Sequence, residues 1–460
     1  MTATLVVPGH IASRLQKLAS SEVESGAVLL ARLVMTPRGN TRLLATELHE
    51  VPDDAYEIRE ALELLIRSEG YVGALGRAEE TQTVPIWMHT HPGEGSSPRS
   101  SRHDRKVDSQ LSDLFRLRAD SAYYGALIVA TEGGALRFTG HLEDGRGHVR
   151  IDRLWTVGPR FALQTNDDAG LPSLPNMYDR NIRAFGGSVQ RVLGDLRVAV
   201  VGCGGTGSAV AEQLVRLGIR DLLLADPDKL SESNTTRVYG SGWTDVGRPK
   251  VDVLGDHLET IVADVQIERL NGMITVESAA RQLVDVDVIF GCTDDNAGRL
   301  ILSRLATYML VPVIDCGVLL TSDQNQRLDG IHGRVTILHP GAACLICRGR
   351  VDLARAASEM LTPEERVRLV EEGYAPALAG VEPAVVTFTS MVAAMAVSEL
   401  IERLTHYGEE PVPNEVLLRM HDREISTNLQ TPRSLHYCDP GSGKLGLGET
   451  TPFLEQTWQA

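Results

Sequence analysis

Leu196-Arg197-Val198-Ala199-Val200-Val201-Gly202-Cys203-Gly204-Gly205-Thr206-Gly207-Ser208 is the stretch that decides the fold. An apolar run of strand length leads into a glycine cluster, and an apolar helix to about Leu217 follows. Glycines let the backbone turn tightly and bring its N–H groups, with the positive end of the helix, against a phosphate chain. The stretch reads as a phosphate-binding βα turn. The next strand, Leu222-Leu223-Leu224-Ala225, delivers Asp226, placed to accept hydrogen bonds from a ribose. To this point the pattern suits NAD as well as ATP.

The residues that discriminate lie downstream. Asp228, Asn234, Arg237 and Lys250 follow in turn, and a later strand, Val286-Asp287-Val288-Ile289-Phe290, delivers Cys292-Thr293-Asp294-Asp295-Asn296-Ala297-Gly298-Arg299. A dehydrogenase has no need of them. Two cations and a metal-binding carboxylate suit a triphosphate attacked at its α-phosphorus, where charge must be neutralised and the chain held in line. With Val311-Pro312-Val313-Ile314-Asp315-Cys316-Gly317, the set resembles the ubiquitin-activating, ThiF and MoeB-like adenylyltransferase family over roughly residues 177 to 405.

That resemblance implies an α/β, Rossmann-like domain with a mostly parallel sheet, and ATP and Mg2+ as cofactors. It implies Gly202, Gly204, Gly205 and Gly207 wrapped around the phosphates, Asp226 on the ribose, Asn234, Arg237 and Lys250 on phosphates, and Asp294 on magnesium. Tyr178-Asp179-Arg180-Asn181-Ile182-Arg183 resembles a family motif whose arginine reaches the ATP of the partner subunit, so Arg180 implies a homodimer. The plain alternative for Arg180 and Arg183 is a solvated helix face.

Cys344-Leu345-Ile346-Cys347 follows the strand Arg334-Val335-Thr336-Ile337-Leu338, where relatives carry half of a structural zinc site. The other half is normally a second C-x-x-C, and here His436 and Cys438 stand near the C-terminus. The expectation is a Cys344, Cys347, Cys438 and His436 zinc site, against buried thiols with no metal. Between Arg350 and Pro383, where thioester-forming relatives keep a catalytic cysteine, there is none. Either the acyl adenylate passes to another protein, such as a conjugating enzyme, or Cys344, Cys347, Thr387, Thr389 or Ser390 accepts it. Cys203, Cys292 and Cys316 read as packing residues.

In the first third of the chain, Val84-Pro85-Ile86-Trp87-Met88 reads as a strand running into His89-Thr90-His91, and Ser101 and Asp104 follow. Alternate residues of a strand point the same way, so both histidines can face one metal. Two imidazoles and a carboxylate leave the fourth tetrahedral position of zinc open, as hydrolytic sites require. The pattern resembles the metal signature of the JAMM (MPN) isopeptidases, which cut after the C-terminal glycine of ubiquitin-like proteins. Glu24-Ser25-Gly26-Ala27-Val28-Leu29-Leu30-Ala31 fits that family's glutamate segment, with Glu22 as the alternative. The resemblance implies Zn2+ on His89, His91 and Asp104, Glu24 as proton carrier and Ser101 as donor to the oxyanion, with Ser100 or Ser97 as substitutes. His103 and Asp108 read as solvated helix residues.

The 460 residues, 43% hydrophobic and 23% charged, allow two or three globular domains. The expected division is an α+β JAMM (MPN) domain over 1–158, a linker over 159–176 and the adenylyltransferase domain over 177–460. A net charge of -16 argues against nucleic-acid binding. Six cysteines are too few for a disulfide scaffold, no basic segment precedes a long apolar run at the N-terminus, and Pro383 to Ser398 is too short for a membrane span. A cytoplasmic protein without membrane partners is expected.

Together the halves predict a bifunctional enzyme of a bacterial ubiquitin-like conjugation system, resembling phage-defence systems at the family level. One half would trim or remove a ubiquitin-like protein and the other would adenylate its C-terminal glycine. The alternatives are activation of a sulfur carrier for cofactor synthesis and a non-catalytic binding scaffold.

Overall fold

The computed structural model describes residues 2–93, 98–166, 174–323, 325, 327–361 and 384–458. The chain divides into two compact units, Met1–Leu171 with Gly446–Glu449, and Pro172–Leu445 with Thr450–Ala460.

The first unit runs β1 (Ala3–Pro8), α1 (Gly9–Ala19), β2 (Gly26–Met35), β3 (Thr41–Glu50), β4 (Tyr56–Arg59), β5 (Leu64–Ile66), α2 (Glu69–Thr81), β6 (Val84–Thr90), α3 (Arg102–Arg118), β7 (Tyr124–Glu132), β8 (Ala135–Glu143), β9 (His148–Val157) and β10 (Ala162–Thr165). Eight strands form one sheet in the order β1-β3-β2-β6-β7-β8-β9-β10, which curls until β1 also pairs with β9. Strand periodicity sorts its two faces. Ala27, Leu29 and Ala31 of β2 pack with Ile11 and Leu15 of α1, while Val28 and Leu30 pack with Leu75 and Ala78 of α2 and Phe115 of α3. The short β4–β5 hairpin stands apart as its own two-stranded sheet.

The unit extends past the expected boundary at 158. Phe161 is buried against Trp155, with ring centroids 5.6 Å apart, and β10 pairs antiparallel with β9. Ala162–Thr165, inside the expected linker, are thus paired strand, because an aromatic and a pairing strand outweigh the turn-rich composition around them. Of the remaining expected linker, 167–173 lies outside the described residues.

The second unit runs α4 (Asp179–Phe185), α5 (Gly187–Asp195), β11 (Arg197–Val201), α6 (Gly205–Leu217), β12 (Asp221–Ala225), α7 (Lys250–Ile261), β13 (Gln266–Leu270), α8 (Glu277–Gln282), β14 (Val288–Gly291), α9 (Asn296–Tyr308), β15 (Val313–Ser322), β16 (Leu328–Leu338), α10 (Leu353–Glu359), α11 (Val386–Thr405), β17 (Glu415–Arg419) and β18 (Glu424–Asn428). Its sheet has the order β13-β12-β11-β14-β15-β16-β17-β18, parallel from β13 to β15 and antiparallel from β15 to β18. All five residues of β11 are buried, as a strand covered on both faces requires. Beyond β11 the chain first builds outward to β12 and β13, then returns to β14 on the other side, which opens a crevice at the carboxyl ends of β11 and β14. Of the uncharged run expected as a core helix, residues 386–398 lie in α11, Ala384 and Val385 precede it, and Pro383 lies outside the described residues. Among the described residues no helix is long and apolar enough to cross a membrane.

Candidate functional site

In the first unit β6 carries His89 near its end, and His91 follows one residue beyond it, its N–H bonded to Val129 O at 3.0 Å. Asp104 comes from the first turn of α3, where Ser101 is the N-cap. Ser101 Oγ accepts from Asp104 N at 3.0 Å, and Asp104 Oδ2 accepts from Ser101 N at 2.6 Å. This reciprocal cap fixes the carboxylate while it satisfies two free amides of the helix. Three side chains then converge: His89 Nε2 and His91 Nε2 are 3.1 Å apart, Asp104 Oδ1 is 3.6 Å from the first and Oδ2 3.5 Å from the second. Tetrahedral zinc, with bonds of about 2.0–2.1 Å to nitrogen and oxygen, puts neighbouring ligands about 3.3 Å apart. The donor set fits the ion in chemistry and in spacing. Burial opposes the charge on Asp104, yet His89, His91 and the Ser101 amide outweigh it and hold the carboxyl well below the usual carboxylate range.

Glu24 is buried beside this centre, whereas Glu22 is exposed, so the geometry favours the first of the two expected glutamates. Burial pushes the Glu24 carboxyl up, with His89 and His91 working in the other direction. Glu24, His89, His91, Ser101 and Asp104 all line a groove of about 780 Å³ whose walls include Trp87 and Leu111. Ser100 lines it too, and Ser97 lies outside the described residues. Exposed His103 also borders the groove. Asp108 departs from the expected solvated residue, because it accepts from Tyr124 Oη at 2.5 Å and pairs with His141 Nε2 at 3.3 Å. Its helix face turns inward toward β7 and β8, which helical spacing alone did not reveal.

In the second unit the glycine turn sits at the crevice. Gly202 has φ +91°, and a side chain there would meet Cys292 O at 2.7 Å. Gly207 faces the same turn, while Gly204 caps α6 and Gly205 begins it. Both oxygens of the buried Asp226 carboxylate accept backbone N–H groups, from Cys203 at 2.6 Å and Asp228 at 2.8 Å. Asp226 therefore braces the turn itself. Lys250 Nζ donates to Asp228 at 2.7 Å and lies 3.7 Å from Asp226. Burial works against the lysine's charge, and the two aspartates more than offset it.

Arg237 lies along Gly205 and donates to Ser233 O at 3.0 Å, and Asn234 Oδ1 accepts from Ser231 N at 3.1 Å. Asp294 is exposed just beyond β14, and Asp295 caps α9. Arg180 is exposed on α4, and Arg183 pairs with Asp179. Cys203 and Cys316 are buried, Cys292 partly so. Thr389 packs at the Gly205 position and Ser390 meets Tyr239 at 2.9 Å, so neither hydroxyl stands free as an obvious acyl acceptor.

Sequence reasoning missed two arrangements here. Glu359, at the end of α10, accepts from Asn296 N at 2.7 Å and Ala297 N at 2.9 Å, holding the start of α9 beside Asp294. Asp315 is fully buried, with Arg334 Nη2 at 2.5 Å and Arg299 Nε at 3.6 Å. Burial pushes its carboxyl up against the pull of both arginines. The acidic position in Val313–Gly317 was the only signal for the second arrangement.

Cys344, Cys347, His436 and Cys438 converge far from that crevice in sequence. His436 Nδ1 lies 3.6, 3.4 and 3.2 Å from Cys344, Cys347 and Cys438 Sγ, and the last two sulfurs are 3.7 Å apart. Zinc with Zn–S bonds of about 2.3 Å places its ligands about 3.5–3.8 Å apart, so the set fits a closed structural site. The Cys438 thiol donating to Cys344 pulls Cys344 down and is itself pushed up, as expected where thiols share protons.

A family model described as the ThiF family matches residues 178–437. The chain belongs to the ThiF family. Molybdopterin-synthase adenylyltransferase of Escherichia coli (strain K12) is 27% identical over 245 residues, covering 52% of this chain and 86% of the relative. Ubiquitin-like modifier-activating enzyme 5 of Bombyx mori is 29% identical over 182 residues, 37% of this chain, which spans only 44% of that relative. The solved structure of E. coli MccB with ATP is matched at 18% identity and a TM-score of 0.44, over 58% of this chain and 76% of that one. The ThiF-family match agrees with the mixed α/β, Rossmann-like sheet of the second unit, parallel from β13 to β15.

Proposed function

We propose that the second unit adenylates the C-terminal carboxylate of a small ubiquitin-like protein with Mg-ATP, and that the first unit is a zinc peptidase of the JAMM (MPN) kind acting on the same terminus. Membership of the ThiF family, with relatives named as an adenylyltransferase and a ubiquitin-like modifier-activating enzyme, supports the first activity. The convergence of His89, His91 and Asp104 beside buried Glu24 carries the second.

For adenylation, a carboxylate oxygen of the substrate attacks the α-phosphorus and pyrophosphate leaves. Amides of the Gly202–Gly207 turn and the start of α6 hold the phosphates. Asp226 keeps that turn in shape and faces the ribose, while Lys250, Arg237 and Asn234 turn from their present partners to phosphate oxygens. Magnesium at Asp294 supplies neutralising charge. Arg180, exposed on α4, reaches the site of a second copy, making the active form a homodimer.

For peptide hydrolysis, zinc at His89, His91 and Asp104 supplies Lewis acidity. Glu24 takes a proton from the attacking water and delivers it to the leaving amine. Ser101 Oγ uses its lone pair on Asp104 N, leaving its O–H to donate to the carbonyl oxygen as charge develops there. A second zinc at Cys344, Cys347, His436 and Cys438 is structural, and a conjugating enzyme takes the activated acyl group. The E. coli relative's name favours a second reading, in which the activated protein is a carrier for cofactor synthesis.

The test is ATP–pyrophosphate exchange by the full chain with a small ubiquitin-like protein ending in glycine, and zinc-dependent cleavage of that protein's C-terminal fusions. Exchange and cleavage support the reading, and thiocarboxylate on the carrier favours the cofactor branch. Absence of both exchange and cleavage would sink the assignment.

A further inference from the structure

Glu24 lies in irregular chain immediately before β2, so no ladder of strand pairing holds it. Its position is nevertheless closely determined. The Glu24 N–H donates to Glu60 O at 2.8 Å, and Arg59 Nε donates to Glu24 O at 3.1 Å. Arg59 Nη2 reaches on to Ser25 Oγ at 2.7 Å, while Nη1 pairs with Asp53 at 2.7 Å. The guanidinium also lies over the Tyr56 ring, 4.4 Å from its centroid, and Tyr56 Oη accepts from Gly26 N at 3.0 Å. Three consecutive residues, Glu24 to Gly26, are thus gripped by Tyr56 and Arg59, the first and last residues of β4, and by Glu60 just beyond it.

The opposite side of the same segment is tied to the metal ligands. Ser25 N donates to Thr90 Oγ1 at 2.8 Å and Thr90 N donates to Ser25 O at 3.0 Å, and Thr90 stands between His89 and His91. The Thr90 clasp sets how far Glu24 stands from the ligands, and Arg59 sets how the peptide carrying Glu24 is turned. A guanidinium suits this role because its planar fork reaches three acceptors in fixed directions, which an ammonium group cannot do.

We infer that Arg59 is a positioning residue for the peptidase site, acting through Glu24, an inference that rests on Glu24 being the proton carrier proposed above. Groups next to a metal's ligands tune the ion and must be held to within a fraction of an ångström to act. Arg59 touches no ligand and no reacting atom, so its effect reaches the centre through the backbone of Glu24 and Ser25.

The experiment uses the full chain with cobalt exchanged into the His89, His91 and Asp104 site and zinc retained by the cysteine cluster. The visible spectrum of the cobalt centre is read at neutral pH for wild type, Glu24→Gln, Arg59→Gln, Arg59→Lys and the Glu24→Gln/Arg59→Gln double variant. The expected result is a band shift for Arg59→Gln in the same direction as for Glu24→Gln, no further shift in the double variant, and failure of lysine to restore the wild-type spectrum. A wild-type spectrum for Arg59→Gln beside a shifted one for Glu24→Gln overturns the role of Arg59. An unshifted spectrum for Glu24→Gln overturns the underlying reading of Glu24. Should Arg59→Gln misfold, Asp53→Asn and Tyr56→Phe, each removing one restraint on Arg59 or Gly26, are read the same way. An unshifted spectrum in both then counts against the clamp.

Discussion

Gly207 faces Gly202 so closely that a methyl group on its α-carbon would stand 1.8 Å from the Gly202 carbonyl oxygen. The contact is backbone against backbone, so no side-chain rotation relieves it. Gly207→Ala should therefore push the turn open, at a cost of about 1–3 kcal/mol or more, and weaken ATP binding by roughly tenfold or more for each 1.4 kcal/mol lost. Calorimetric titration with ATP measures it. Unchanged affinity would show that the turn does not hold the nucleotide.

Asp294 stands on an exposed edge, while its neighbour Asp295 caps α9. Asp294→Ala should abolish ATP–pyrophosphate exchange with little loss of stability and leave peptide hydrolysis intact. Asp295→Ala should cost about 0.5–2 kcal/mol of stability, as loss of an N-cap does. Thermal unfolding beside the exchange assay separates the two effects. Loss of both activities in a folded Asp294→Ala protein would contradict separate sites.

His89→Ala or Asp104→Ala should lose the first-unit metal, since each removes one of three protein ligands. Glu24→Ala should retain it and lose hydrolysis by ~10²–10⁴-fold, the usual effect of removing a general base. Metal analysis with cleavage of a ubiquitin-like fusion checks the pair. Undiminished cleavage by Glu24→Ala would move the role elsewhere.

His339 gives a pH prediction. Burial pushes its imidazole down to about 4, with Arg403 and Arg348 adding to the effect and the hydrogen bond to Pro340 O working against it. An unfolded histidine titrates near 6.5, so between about pH 6.5 and 4 the unfolded chain binds more protons and stability falls with falling pH. At about 1.4 kcal/mol per unit the loss is roughly 3 kcal/mol. His339→Asn should flatten that acid limb in urea unfolding measured across this range. An equal slope in both proteins would count against it.

How much of this was legible in the sequence depends on range. The glycine turn, His89-Thr90-His91 and Cys344–Cys347 are local spacings, and the chemistry that fixes them acts within a turn or a strand. Glu359 meets Asn296 across 63 residues and Arg59 meets Ser25 across 34, with no periodicity to announce either. Such contacts are decided by how elements pack. Strand β10, inside the expected linker, escaped the sequence for the same reason, since it is recognised only through its pairing with β9.

The cysteine cluster has one more consequence, for the unfolded chain rather than the native one. Cys347 and Cys438 are 91 residues apart in sequence. An ion held by both would close that stretch into a ring even after the sheet had melted. By analogy with a disulfide, closing a loop of this size lowers the entropy of the denatured ensemble by the equivalent of about 4–5 kcal/mol. Chelation would then destabilise the second unit beyond what its lost native contacts account for, and refolding without metal would begin from a longer search.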